Sequence, residues 1–147
     1  MEYLHFLEDL LTLLPYWHYK IDRPFQRAQR EDRDRMSMET YFCLQMLRLN
    51  GAMTMTEIAQ CLRIPKQQAT RLIGKLYEYQ FVNRLFDQRD RRVIKIEITD
   101  KALEYIQGDL KAHEEFIMNI NSNLNEKERA AFGQAVQTLL QILPKLD

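Results

Sequence analysis

The spacing of apolar residues changes twice between Thr54 and Asp100, and those changes leave few folds open. Up to Leu76 the apolar positions recur three and four apart, as on one face of a helix. Beyond Gln80 they recur every second residue, with Ile94, Ile96 and Ile98 alternating with Lys95 and Glu97, the pattern of a strand covered on one face. From Asp100 the helical spacing returns. Arg63-Ile64-Pro65 breaks the first helical run, so the stretch reads as helix, three-residue turn, helix and hairpin, with Val82 to Phe86 as the partner strand and Asp87 to Arg92 as an exposed arginine-rich tip.

Each break has a local cause. Thr54 and Glu57 have capping-box spacing, which starts the first helix, and Ile58, Cys61 and Leu62 are its expected buried side. Pro65 suits the first position of the second helix, where its missing amide hydrogen would have had no partner. In that helix Ala69, Leu72, Ile73 and Leu76 repeat at i, i+3, i+4 and i+7 and must face inward. Gln67, Thr70, Arg71 and Gly74 then face outward, flanked by Lys66, Gln68 and Lys75. A short helix, a helix with a polar free face and a basic hairpin together form a winged helix-turn-helix, a device that places one helix in a DNA major groove.

Charge supports that reading locally and not globally. Lys+Arg and Asp+Glu both total 21 in 147 residues, so the whole chain is neutral. Between Arg63 and Arg92, however, eight basic residues face three acidic ones, a net of +5 that the remainder balances with −5. One anion-attracting face on an acidic body favours nucleic acid at that face and limits indiscriminate sticking elsewhere.

Outside this stretch the chain reads as helices. Tyr3, Leu4, Leu7, Leu10, Leu11 and Leu14 make the opening segment amphipathic, with Pro15 expected to kink or interrupt it. An aromatic cluster, Tyr16, Trp17, His18 and Tyr19, follows, and then a charge-rich connection from Arg23 to Arg35 with room for a short helix. From Ser37 a helix is expected to place Met38, Tyr41, Phe42, Met46 and Leu49 on one stripe, with Asn50-Gly51 as a left-handed stop. After the hairpin, Leu103, Ile106, Leu110, His113, Ile117, Ile120 and Leu124 have the spacing of one long helix packed along another. Asn125 and Glu128 form a second capping-box pattern, and the last helix is expected to bury Phe132, Ala135, Val136, Leu139, Leu140 and Leu143 before Pro144 stops it. The fold expected is mainly α with a small β-hairpin wing. Residues 37–99 form the DNA-binding region, and residues 1–36 and 100–147 form helical dimerisation elements in one intertwined domain.

Two groups of residues carry a specific resemblance. Asp87-Gln88-Arg89-Asp90-Arg91-Arg92 followed by the strand ending Ile98-Thr99 resembles the wing pattern D-x-R-D-x-R of the MarR family of transcriptional regulators. Thr54-x-x-Glu57-Ile58-Ala59 followed by Thr70-Arg71-Leu72-Ile73 and Leu76 resembles the same family's reading helices, and the helix order agrees over nearly the whole chain. The resemblance implies a triangular obligate homodimer held by its N- and C-terminal helices, with two winged heads on a pseudo-palindromic operator. It implies that Arg89 enters the minor groove with Asp87 orienting its guanidinium, and that Arg91 and Arg92 sit near phosphates or brace the wing. Gln67, Gln68, Thr70 and Arg71 match the major-groove positions, with Lys66 and Lys75 nearer phosphate. The chain departs from the pattern at Pro65, in place of a hydroxyl or acidic cap, at Gly74, in place of an acidic residue, and at Ala102, in place of a glycine.

The function expected is that of a sequence-specific, cytoplasmic DNA-binding regulator: a dimeric repressor rather than an activator, released by a small molecule. No enzyme is expected, because nucleophile–base pairs, metal motifs and phosphate-binding glycine loops are missing from the sequence. No cofactor, metal or membrane partner is expected either. The cluster Tyr16 to Tyr19 is a candidate pocket for a small aromatic or phenolic effector, although aromatic residues fill interfaces equally well. Two competing readings remain: a winged head that binds protein and has lost DNA, and a redox sensor using Cys43 or Cys61, for which inert burial of both thiols is the simpler expectation.

Overall fold

A computed structural model describes residues 2–30 and 37–146, the side chains of 28–30 and 109–112 excepted. The elements are α1 (Glu2–Trp17), a π-turn (His18–Asp22), α2 (Arg23–Arg30), α3 (Met38–Asn50), β1 (Met53–Thr54), α4 (Met55–Leu62), α5 (Lys66–Glu78), β2 (Val82–Phe86), β3 (Ile94–Ile98), α6 (Asp100–Ala112), α7 (Glu114–Asn123), α8 (Glu126–Ile142) and a final 3-10 turn (Leu143–Lys145). They fall into two compact units, residues 29–111 and residues 1–28 with 112–147.

The unit of residues 29–111 holds a single apolar core. Cys43, Leu44 and Leu47 of α3, Ile58 and Ala59 of α4, and Ala69, Ile73 and Leu76 of α5 close around Met53, Val82 and Ile96 of the sheet, with Ala102 and Ile106 of α6 completing it. The inward face foreseen for α5 is therefore the observed one. That of α3 is so only in part: Tyr41 is buried as expected, but Phe42 and Leu49 are 47% and 57% exposed, while Thr40, Cys43, Leu44 and Leu47 are buried. The helix is apolar most of the way round, so spacing alone does not select a face. Cys61, expected inside, is exposed.

The sheet has three strands and not two. β3 pairs antiparallel with β2 on one side, Arg84 opposite Ile96, and with β1 on the other, Met53 opposite Ile96. β1 is two residues long, too short to show a period, and it is held because Met53 enters the core. Thr99 ties the hairpin to its surroundings. Its hydroxyl donates to the Gln80 carbonyl (2.8 Å) and accepts the Ala102 amide (3.3 Å), which caps α6.

In the unit of residues 1–28 and 112–147, α1 runs unbroken through Pro15 and ends at Trp17. A π-turn follows directly, closed by the Arg23 amide on the His18 carbonyl, and α2 begins with Pro24 at its second position. The connection expected between Arg23 and Arg35 thus starts as a helix, and residues 31–36 lie outside those described. The long helix expected after the wing is two helices, because His113 at φ −94° and ψ 8° leaves helical geometry. His113 stacks on Phe25 at 4.2 Å, with Phe116 set edge-on to the same ring. The burial expected of Leu110 falls outside the described side chains. Asn125 and Glu128 form the full reciprocal capping box at the start of α8. Phe132, Leu139, Leu140 and Leu143, expected inside, are 39–61% exposed in a single chain. An apolar stripe marks a face that wants cover without saying what covers it.

Candidate nucleic-acid interface

The geometry starts at the caps of α4 and α5. The Thr54 hydroxyl accepts the Glu57 amide (3.2 Å) and donates to the Glu57 carboxylate (3.1 Å). The expected return bond from Glu57 to the Thr54 amide is replaced by this contact. α4 ends at Arg63, held left-handed at φ 53° and ψ 47°, where the Ile64 amide reaches back to the Ala59 carbonyl (3.0 Å). Pro65 is the cap of α5 and not its first helical residue; its carbonyl accepts the Gln68 and Ala69 amides.

This turn sets α5 with Ala69, Leu72, Ile73 and Leu76 buried and Lys66, Gln67, Thr70, Arg71, Gly74 and Lys75 exposed. The Thr70 hydroxyl is taken by the Lys66 carbonyl (2.9 Å). Lys66, Arg71 and Lys75 make no ion pair with any described residue, so three cations stand on one helix face with their charges unspent. Gln68 differs from its neighbours. It is half-buried, and its amide nitrogen lies 3.3 Å from both oxygens of Glu39 at the start of α3.

The wing tip is built by two turns of the same kind. The Asp87 carboxylate accepts the Arg89 amide (2.9 Å), and the Asp90 carboxylate accepts the Arg92 amide (3.0 Å). Asp87 therefore fixes the backbone that carries Arg89, where the resemblance had it holding the guanidinium. Asp90 also takes the Arg92 side chain through Nε (3.3 Å), which makes Arg92 a brace. The guanidinium groups of Arg89 and Arg91 are exposed and have no ion-pair partner among the described residues. At the root of the wing Arg84 lies over the Tyr77 ring at 5.3 Å, tying β2 to the end of α5. Arg84 and Glu39 were given no role from sequence, and Asp90 was named only as part of the wing pattern; its role carried a visible signal, since Asp87-x-Arg89 and Asp90-x-Arg92 share one spacing.

The aromatic cluster and the cysteines are separate features. Tyr16, Trp17, His18 and Tyr19 are exposed around the π-turn. His18 meets Tyr19 edge-on at 4.9 Å and Asp22 at 3.3 Å through Nδ1, and Gln26 donates to the other Asp22 oxygen (3.0 Å). Cys43 is fully buried, and burial, helped by the nearby Cys61, pushes its thiol up from 9.0 to about 11. A thiol held protonated is a poor nucleophile, which counts against Cys43 as a sensor. Among the described residues no cluster of ligands could hold a metal, and no helix is long and apolar enough to cross a membrane.

A short helix, a left-handed turn, a polar exposed helix and a paired wing with a cationic tip define a winged helix-turn-helix protein. Residues 36–94 match the sequence model of the MarR family. The chain is similar to YsmB of Bacillus subtilis (strain 168), an uncharacterized HTH-type transcriptional regulator, with 26% identity over 96 residues. That match covers 65% of this chain and 66% of YsmB, so the chain spans about two thirds of that relative. In fold it is similar to a MarR family protein from Bacillus stearothermophilus, with TM-score 0.75, 17% identity and 95% and 96% of the two chains covered. It is also similar to Bordetella bronchiseptica BpsR, whose DNA binding is regulated by 6-hydroxynicotinic acid, with TM-score 0.60, 18% identity and 87% and 90% covered. Regulators of this family are not enzymes.

Proposed function

We propose that two copies of this chain bind a pseudo-palindromic operator as a cytoplasmic, sequence-specific repressor. The observation that carries this reading is the set of exposed cations, Lys66, Arg71 and Lys75 on α5 and Arg89 and Arg91 on the wing, none of them paired with an acid among the described residues. Unpaired arginines on a folded surface keep their full Coulomb attraction for phosphate and their planar fork for a base edge. In this reading α5 lies in the major groove with Gln67, Gln68, Thr70 and Arg71 toward bases, and Arg89 enters the adjacent minor groove, where it responds to groove width. Residues 37–99 serve as the reading head, and residues 1–36 and 100–147 join two chains. The exposed leucines and aromatic residues of α1 and α8 support that join, since a monomer rarely leaves so much apolar surface in water.

The regulator is released when a small aromatic or phenolic molecule binds at Tyr16, Trp17, His18 and Tyr19 and favours a spacing of heads that cannot span two half-sites. The regulation of BpsR by 6-hydroxynicotinic acid is a parallel. A gel-shift titration in salt tests the DNA reading. Affinity for a short duplex should fall steeply between 50 and 200 mM salt, roughly in proportion to the phosphates contacted. A flat response would leave the winged head as a protein-binding module.

A further inference from the structure

The pairing of Gln68 with Glu39 carries an inference about what the head reads. Gln68 is the third residue of α5, the position from which a glutamine normally folds back to accept the amide hydrogen of the capping residue. Here the cap is Pro65, which has no amide hydrogen to offer. The Gln68 side chain is thereby released from capping. It turns instead to Glu39, 29 residues earlier, with Nε2 equidistant, at 3.3 Å, from both carboxylate oxygens. The opposite orientation would set the amide oxygen against two anionic oxygens, acceptor facing acceptor, so the carboxylate fixes which end of the amide it holds.

We propose that Glu39 is a positioning residue for base recognition: by holding the Gln68 amide nitrogen it commits the Gln68 carbonyl oxygen, directed away from Glu39, to the DNA. That oxygen can only accept. It favours a base that presents an exocyclic amino group in the major groove, adenine N6 or cytosine N4, over thymine O4 or guanine O6. An unheld glutamine can rotate its amide and offer either end, and so discriminates poorly. The proposal rests on the reading of α5 as the major-groove helix.

The test is selection of bound fragments from a pool of duplex DNA with a randomised central segment, using the purified wild-type chain and Glu39→Ala, Glu39→Gln and Gln68→Ala. At one position in each half-site the wild type should enrich adenine or cytosine over thymine and guanine by about fivefold, the low end of what a side-chain–base pair supplies. Glu39→Ala and Gln68→Ala should both lose that preference while keeping the wild-type preferences at other positions. Glu39→Gln keeps the size of the side chain and should relax the same position, which separates positioning from a folding defect. Wild-type preferences retained at every position by both Glu39 variants would overturn the proposal. A wild-type chain that enriches no motif would overturn the DNA reading itself, and the proposal with it.

Discussion

At the scale of single residues, the wing shows how an arginine is aimed without being touched. Asp87 and Asp90 each accept a backbone amide two residues on, so the turn is rigid while the Arg89 guanidinium stays open. Arg71→Ala should cost about 1–3 kcal/mol of operator affinity and relax specificity where it contacts a base. Arg89→Ala should lower affinity most on A·T-rich flanks and reduce the slope of log affinity against log salt by about one. Both are measured by fluorescence anisotropy on a selected operator. Cys43 makes a prediction about pH. Its folded pKa of about 11 lies above the ordinary 9.0, so the native state holds its proton where the unfolded chain has lost it. Stability from this group is complete below pH 9 and is lost as pH rises to about 11. Chemical denaturation across that window should show a steeper decline for the wild type than for Cys43→Ala.

At the scale of elements, the reading helix carries a reserve of stability. Gly74 lies inside α5 with ordinary helical backbone, and a methyl group built there meets nothing within 4 Å. Gly74→Ala should raise the unfolding free energy by about 1 kcal/mol, because alanine loses less chain entropy on entering a helix. Thermal unfolding reads this directly. The capping box of α8 works the other way: Asn125→Ala removes the acceptor of the Glu128 amide and should cost about 1 kcal/mol. The elements also show what sequence periodicity can and cannot resolve. α5 was legible because its four inward residues repeat strictly between polar neighbours. α3 was not, since Tyr41, Phe42, Cys43, Leu44, Met46, Leu47 and Leu49 surround its axis and only tertiary contact chooses among them. The two residues of β1 are too few for any period.

At the scale of the whole molecule, the question is what covers α1 and α8. Tyr3, Leu4, Phe6, Leu11 and Leu14 on the first, Leu140 and Ile142 on the last, and Leu143 in the turn that follows it are about half or more exposed. If two chains join through these helices as proposed, the melting temperature should rise with protein concentration, because association stabilises only the folded chain. Leu140→Glu should weaken that dependence and shift sedimentation toward the monomer. A concentration-independent melt of a monomeric wild type would remove the dimer from the proposed function.

The head from Thr54 to Thr99 was determined by the sequence itself, in element order, in the inward face of α5 and in the strands of the wing, because each of these follows from local backbone geometry recorded in residue spacing. The arginine tip was legible for the same reason. Only the tertiary structure decided that Met53 brings in a third strand, that Cys61 is exposed and that Glu39 holds Gln68. Those outcomes join residues far apart in the chain or choose between equally apolar faces. Spacing carries no information about either, since they are fixed only when the chain closes on itself and buries one set of contacts in preference to another.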